Sequence, residues 1–265
     1  MRTRERVEGF FAGLVAGAAG GLLGVGGGIV LVPMLAGRFG LSQHQAHGTS
    51  LAVIGLTALA GLAVYGAHAQ VAWGTAAVVA LASIATARYG ARRANRLSSA
   101  GLGRAFAVFL MIVGTRLLIK TPEITPSVFH HGWMGLSFDL LLGAAIGLLS
   151  GFMGVGGGIL AVPAFTLVLG MAQQAAQGTS LAVILVTGPA GALEHSRHGN
   201  VAWRLVPALA TGAVAGAPLS SWLAQGLTHE VLVRAFALFL LANAVAAWIR
   251  AGPRGGSAAP PTAGG

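Results

Sequence analysis

One glycine-rich stretch occurs twice in this chain and restricts its fold more than any other feature does. Residues 24–33 read Gly-Val-Gly-Gly-Gly-Ile-Val-Leu-Val-Pro, and residues 154–163 read Gly-Val-Gly-Gly-Gly-Ile-Leu-Ala-Val-Pro. Each glycine costs a helix roughly 1 kcal/mol relative to alanine, and the proline removes a further backbone donor. We therefore expect two apolar segments to be broken near their middles, at corresponding places in two halves of the chain.

The apolar composition identifies an integral membrane protein. Of the 265 residues, 55% are hydrophobic and 8% are charged, whereas ordinary soluble domains carry about 25% charged residues. Most of the apolar runs have the roughly 20 residues that cross a ~30 Å hydrocarbon core. The runs lie at Phe10–Ala36, Ala46–Ala67, Val71–Ala87, Leu102–Ile119, Leu136–Leu169, Ala176–Leu193, Val201–Ala224 and Val231–Ile249.

Positive charge dominates the remaining polar residues. Sixteen cations face six acids, which gives a net charge of +10. The cations lie in short loops between apolar runs, so they indicate orientation in the bilayer and not a nucleic-acid partner. The chain has no cysteine, which excludes disulfides, thiolate metal sites and cysteine nucleophiles. Arginines precede the first run, as in a signal peptide, but that run is too long and recurs later, so we interpret it as mature sequence.

The duplication extends well beyond the glycines. Residues 43–73 align with residues 173–203 without a gap at the same offset of 130, and sixteen of 31 positions are identical. Both copies contain Gly-Thr-Ser, at 48–50 and 178–180, and both end in Val-Ala-Trp. We therefore expect two homologous repeats packed as one unit. The expected organisation is a first membrane repeat at 1–119, a linker at 120–135, a second membrane repeat at 136–250 and a disordered Gly/Pro/Ala/Thr tail at 251–265.

The glycine segments decide whether the two halves are parallel or inverted. If each segment spans, every half makes four crossings and the halves are parallel; if each re-enters, every half makes three and the halves are inverted. Cytoplasmic loops are enriched in Lys and Arg. With two re-entrant segments, 13 cations lie on the cytoplasmic side and 3 on the outer side. Eight full crossings place 9 inside and 7 outside, or 7 inside and 9 outside, depending on orientation, and a single re-entrant segment gives at best 10 inside and 6 outside. We therefore predict an all-α polytopic membrane protein with inverted repeats and cytoplasmic termini, each repeat comprising a Gly-broken re-entrant segment and three spanning helices.

Two kinds of glycine have different interpretations. The outer ones recur every four residues, at Gly13, Gly17 and Gly21, and this spacing is typical of a small-residue helix contact. The adjacent central ones exceed what one packing face needs, and backbone without Cβ at the end of a half-helix can offer several N–H groups to an anion. Such interruptions in two halves also indicate a transporter binding site built from broken helices. The candidate anion-binding glycines are Gly24, Gly26, Gly27, Gly28, Gly154, Gly156, Gly157 and Gly158.

The Gly-Thr-Ser motifs supply candidate hydroxyls. One interpretation is that Thr49, Ser50, Thr179 and Ser180 cap two apolar helices that start there. The other is that these helix N-termini and hydroxyls bind the same anion as the glycines. His47 and Gln177 occupy matching positions just before the motifs, and either side chain can donate a hydrogen bond.

Few ionisable residues approach the apolar runs. Glu194 and His198 follow the sixth run, and they are either solvated loop residues or a proton site coupled to transport. No Ser/His/Asp set and no paired carboxylates indicate an enzyme, so we expect no catalytic residues, no metal site and no cofactor.

Paired Gly-x-Gly-Gly-Gly-x-x-x-x-Pro motifs, each followed by Gly-Thr-Ser and later by Val-Ala-Trp, resemble the TauE/SafE family of sulfite and organosulfur anion exporters and permeases. The resemblance covers roughly residues 9–250. It implies a secondary transporter of small sulfur-containing oxyanions in the bacterial inner membrane. The expected partners are the anion and the lipid bilayer, with H⁺ as a candidate coupling ion and a homodimer as a candidate assembly. A passive anion channel, or a membrane subunit of a larger assembly, is the alternative. His47 in place of the second half's Gln177 argues against a symmetric substrate site.

Overall fold

The described part of the chain consists of helices. A computed structural model describes residues 3–94, 99–124, 133–153 and 157–250, and within these ranges it contains no strand, as the all-α prediction requires. The expected disordered tail at 251–265 lies outside the described residues. The described ranges contain ten helices, namely α1 (Thr3–Leu23), α2 (Gly28–Arg38), α3 (Gln43–Ala67), α4 (Trp73–Ala94), α5 (Ser99–Ile119), α6 (Trp133–Met153), α7 (Gly158–Leu167), α8 (Gln173–Arg197), α9 (Val206–Gln225) and α10 (His229–Arg250).

Six of the described helices have the length and apolar character to cross a membrane, namely α1, α3, α6, α8, α9 and α10. The sequence predicted six crossings, but at α3, α4, α5, α8, α9 and α10. The first arms of the two glycine-broken segments, α1 and α6, meet the criterion because each helix starts before its apolar run does. The described apolar part of α4, at 73–87, is shorter. The protein is therefore a multi-pass membrane protein.

The first glycine stretch folds α1 and α2 into a hairpin. Gly24, Gly26 and Gly27 have φ of +71°, +70° and +80°, a left-handed conformation that only glycine adopts readily. The chain turns so tightly that a Cβ built on Gly20 would lie 2.5 Å from the Gly27 nitrogen. At the other end of the hairpin, Arg38 forms an ion pair with Glu8. The outer ends of α1 and α2 therefore lie together, which is the geometry that a re-entrant segment needs.

The outer glycines join helices of different repeats, and the packing interpretation is confirmed for them. A Cβ on Gly13 or Gly17 would clash with the backbone of α9 at Leu209 or Ala213. In the second half, the same relation holds between Gly143 on α6 and Val79 on α4, 2.8 Å from a built Cβ. Each repeat therefore packs its first helix against the fourth helix of the other repeat, so neither repeat is a separate body.

The two Gly-Thr-Ser motifs form reciprocal contacts between the repeats. The Ala202 N–H donates to Thr49 Oγ1 at 2.9 Å, and the Ala72 N–H donates to Thr179 Oγ1 at 3.0 Å. Gly48 packs against the carbonyl of Asn200 in the same way as Gly178 packs against Gln70. The start of α3 therefore lies at the end of α8, and the start of α8 lies at the end of α3. These equivalent helices run antiparallel, and each threonine holds the Val-Ala-Trp segment of the other half.

The expectation that Gly-Thr-Ser starts and caps a helix is wrong. Helix α3 begins six residues before Thr49, where Ser42 and Gln45 form a capping box. Helix α8 likewise begins at Gln173, with no side-chain cap. Both motifs lie about two turns inside their helices, so neither presents a helix N-terminus. The prediction failed because both helices start in the polar residues before the apolar run and not at its first hydroxyl.

We expect Thr49→Val and Thr179→Val to destabilise the protein by similar amounts, about 1 kcal/mol each, because each leaves one backbone N–H without its acceptor. Thermal unfolding in detergent would measure this. Thr211→Val is the matched control, since Thr211 is exposed and its hydroxyl donates to the Ala208 carbonyl of its own helix. An unchanged melting temperature for either motif variant would contradict the contact.

The hairpin also predicts which residues face the same side of the membrane. Because the chain has no native cysteine, single Cys replacements can be labelled from either side of a membrane. Arg4→Cys, Arg38→Cys and Arg197→Cys should react from one side, since Arg38 pairs with Glu8 and the end of α8 lies at the start of α3. Lys120→Cys should react from the other side. Labelling of Arg4→Cys and Arg38→Cys from opposite sides would exclude a re-entrant first segment.

Candidate functional site

The two glycine-broken segments meet inside the protein. A Cβ built on Gly158, the first residue of α7, would lie 3.0 Å from the Val25 Cα in the first break. Ile184 lies against both segments, 2.6 Å from that built Cβ and 3.2 Å from one built on Gly26. The two stretches therefore approach each other at Val25 and Gly158. Gly154 and Gly156 lie outside the described residues, and the nearest contact of Gly157 is Ile146.

The N-terminus of α2 offers backbone donors at this meeting point. Gly27 precedes the helix without a side-chain cap, and its carbonyl accepts the N–H groups of Val30 and Leu31. The N–H groups before Val30 have no carbonyl one turn earlier within the helix. Ser50 Oγ lies beside them, 3.3 Å from a Cβ built on Gly28. This end therefore favours negative charge through its amides, its dipole and a neighbouring hydroxyl.

Gln177 lies directly against the break. A Cβ built on Gly24 would lie 2.5 Å from the Gln177 Cα, so the two backbones touch. The Gln177 side chain is fully buried, and its Oε1 lies 3.0 Å from the Tyr65 hydroxyl. The same hydroxyl lies 2.9 Å from the Gly21 carbonyl oxygen. Its single proton is therefore shared between Gln177 Oε1 and the Gly21 carbonyl. Gln177 Nε2 is buried and has no partner in the described part of the chain.

Two buried serine hydroxyls also lack partners among the described residues, those of Ser180 and Ser221. Ser221 Oγ lies near Gly21, whose carbonyl accepts from the Tyr65 hydroxyl. It is 2.8 Å from a Cβ built on Gly21 and 3.1 Å from one built on Gly61. An unpaired buried polar group costs about 1–3 kcal/mol. Such groups are rare in native interiors and call for an explanation. Together with Gln177 Nε2 they mark a region where a polar ligand can complete the hydrogen bonding.

The sequence identified Gln177 and Ser180 but missed Tyr65 and Ser221. A signal for Tyr65 existed, since it is one of two tyrosines in the chain and stands inside an apolar run. A buried tyrosine hydroxyl needs a hydrogen-bond partner. Ser221 carried no comparable signal, because serine occurs widely in apolar helices.

The symmetry-related positions carry different side chains. His47 is equivalent to Gln177, and His195 is equivalent to Tyr65. His195 packs against Gly48 as Tyr65 packs against Gly178, with their Cβ atoms 2.8 Å and 2.9 Å from the built Cβ. The buried Tyr-Gln pair thus has a His-His counterpart in the other half, and the site is not symmetric in its chemistry.

Glu194 and His198 lie at the exposed end of α8. Glu194 forms an ion pair with Arg197 at 3.7 Å, and His198 Nδ1 lies 2.8 Å from the Glu194 carbonyl. Glu194 is ten residues beyond Ile184, roughly 15 Å along the helix axis. The structure does not bring these two residues to the glycine breaks, and their environment is that of a solvated helix end.

Comparison with known proteins agrees with this architecture. The family model of the sulfite exporter TauE/SafE matches residues 1–117 and 138–264. A probable membrane transporter protein of Xylella fastidiosa (strain Temecula1) is 31% identical over 243 residues, which cover 88% of this chain and 91% of the relative. The probable membrane transporter protein YunE of Bacillus subtilis is 28% identical over 251 residues, covering 86% and 92%. No solved structure matches the chain. The chain therefore belongs to the TauE/SafE family of membrane transporters.

Proposed function

We propose that the protein is a secondary transporter of small sulfur-containing oxyanions across the bacterial inner membrane. We place the substrate at the α2 N-terminus, beside Ser50 and Gln177. The observation that carries this proposal is the fully buried Gln177, which touches the Gly24 backbone and whose Nε2 has no partner in the described part of the chain. An amide nitrogen is a donor only, so it suits an anion and not a cation. The family description names sulfite, which supports the substrate class.

The energetics require several donors. Transfer of a bare ion into a medium of low dielectric constant costs tens of kcal/mol. One helix terminus contributes at most ~2 kcal/mol, and a hydrogen bond to a charged group about 1.5–3 kcal/mol. The helix amides, Ser50 and Gln177 together offset only part of this cost, so the anion keeps some of its water. The donors named here are neutral, which keeps binding weak enough for release.

We further infer that the two repeats are inverted in the membrane, with both termini cytoplasmic. The antiparallel packing of α3 and α8 supports this, because these helices are equivalent in the two repeats. The Glu8–Arg38 ion pair supports it as well, since it closes the first hairpin on one side. In this arrangement the two broken hairpins enter from opposite faces and meet at Val25 and Gly158. Because the repeats exchange helices, the moving units would be the α1–α9 pair and the α4–α6 pair, and rocking of one pair against the other would then open the site alternately to each side.

We expect Gly26→Ala to reduce the initial rate of sulfite flux into proteoliposomes at least about tenfold. Alanine at φ +70° is strained by roughly 1–2 kcal/mol, and the strain falls at the break between α1 and α2. Gly40→Ala is the matched control, because Gly40 has φ +64° in the α2–α3 loop with open space around it. Equal rates for the two variants would remove the glycine break from the mechanism.

We expect Gln177→Leu to lower sulfite flux at least about tenfold while the protein stays folded, because leucine fills the space without donating. Gln174→Leu on the same helix is the control, since Gln174 is only half-buried and its amide donates to the Leu227 carbonyl. Sulfate, sulfoacetate and formate should be assayed in parallel. Transport of formate but of no sulfur oxyanion would overturn the substrate class. Accumulation against the substrate's electrochemical gradient, driven by a proton gradient, would separate a transporter from a passive channel.

A further inference from the structure

A groove opens on the outside of the protein, where α1 and α9 begin. Its volume is about 660 Å³. Helices α1 and α9 run parallel here, since Gly13 packs on Leu209 and Gly17 packs on Ala213. The glycines bring the two backbones together, and larger side chains at the helix starts leave the groove between them. Its walls include Arg6, Phe10 and Phe11 on one side and Arg204, Pro207 and Ala208 on the other.

The groove has a cationic mouth. Arg6 and Arg204 both line it and both are exposed. In the described part of the chain neither has a hydrogen bond or ion pair with a side chain, and Glu8, two residues after Arg6, pairs instead with Arg4 and Arg38. Glu5, the residue before Arg6, is not among the groove-lining residues. Helix α9 begins two residues after Arg204, so its N-terminal amides add to the positive potential.

Apart from Thr211, the other side chains that line the groove are apolar. Phe10 and Phe11 are 37% and 58% exposed, and they lie about one turn beyond Arg6, roughly 6 Å along α1. Trp203, next to Arg204, is also exposed, and tryptophan concentrates at the level of lipid headgroups. The groove thus changes from guanidinium groups to aromatic rings over a few ångströms, as a phospholipid changes from phosphate to acyl chain.

The equivalent place in the other repeat lacks this chemistry. At the offset of 130 residues, Leu136 stands for Arg6, and Gly74 stands for Arg204. Residues near these positions belong to α6 and α4, which pack together as α1 and α9 do. The cationic groove therefore occurs at one of the two symmetry-related places, and the duplication by itself does not account for it.

We propose that this groove binds one anionic phospholipid, with its phosphate between Arg6 and Arg204 and an acyl chain along Phe10 and Phe11. Basic pockets between membrane helices bind anionic headgroups in this way. The lipid would contact both repeats at once, because α1 belongs to the first and α9 to the second. It would stabilise the seam that carries the first broken hairpin.

Lipid-dependent stability tests the proposal without any transport substrate. Purified protein in detergent would be melted with added phosphatidylglycerol, phosphatidylcholine or inorganic phosphate. We expect phosphatidylglycerol alone to raise the melting temperature of the wild type. The double variant Arg6→Gln/Arg204→Gln should lose this shift, and native mass spectrometry should show at least about tenfold lower occupancy by phosphatidylglycerol.

The control Arg116→Gln/Arg234→Gln removes the same charge at other helices and should keep the shift. If this control loses the phosphatidylglycerol-induced shift to the same extent, the shift depends only on net charge, and binding in the groove is excluded. An equal shift with phosphatidylcholine or with inorganic phosphate would also overturn the proposal. If the double variant does not fold, Leu136→Arg/Gly74→Arg serves instead. A Cβ on Gly74 meets open space, and this variant should gain a second bound phosphatidylglycerol; no gain would count against the proposal.

Discussion

A backbone that leaves helical geometry inside an apolar protein must be covered by protein, because hydrocarbon supplies no hydrogen-bond partners. In this chain both repeats supply the cover. Ser50 and Ile54 of the same repeat lie against Gly28, and Gln177 of α8 in the other repeat lies against Gly24. The break therefore depends in part on the exchange of helices between the two halves, in which α1 packs on α9. The glycine seams at Gly13 and Gly17 allow that exchange, since any larger residue would separate the backbones.

The same packing gives the interior its chemistry. Polar groups are few, and several of them are donors or hydroxyls without partners in the described part of the chain: Gln177 Nε2, Ser180 Oγ and Ser221 Oγ. All three of these groups are uncharged. Duplication gave the two halves the same scaffold, but Tyr65 and Gln177 on one side correspond to His195 and His47 on the other. The two ends of the α3–α8 pair therefore differ in their chemistry.

The repeat, the broken apolar segments and the glycine contacts follow from the sequence because each depends on a local pattern: periodic glycines, adjacent glycines or an exact offset. Partners far apart in sequence do not follow from it. The contact of Thr49 with Ala202 joins residues on different repeats, and identical motifs do not reveal that each binds the other's neighbour. The Tyr65–Gln177 contact was missed for the same reason. The helix starts were misplaced because Ser42 provides the capping box before the apolar pattern begins.

The threonine contacts between the halves have a consequence for how such a chain could arise. Each repeat contains both members of the contact, a Gly-Thr-Ser hydroxyl and a Val-Ala-Trp amide, yet each uses the partner from the other repeat. A single repeat could complete both bonds only with a second copy lying antiparallel to it. The geometry is therefore that of a self-complementary pair joined by a linker. In one chain the two halves need not meet as separate molecules, and the equivalent positions are free to differ, as His47 differs from Gln177 and His195 from Tyr65.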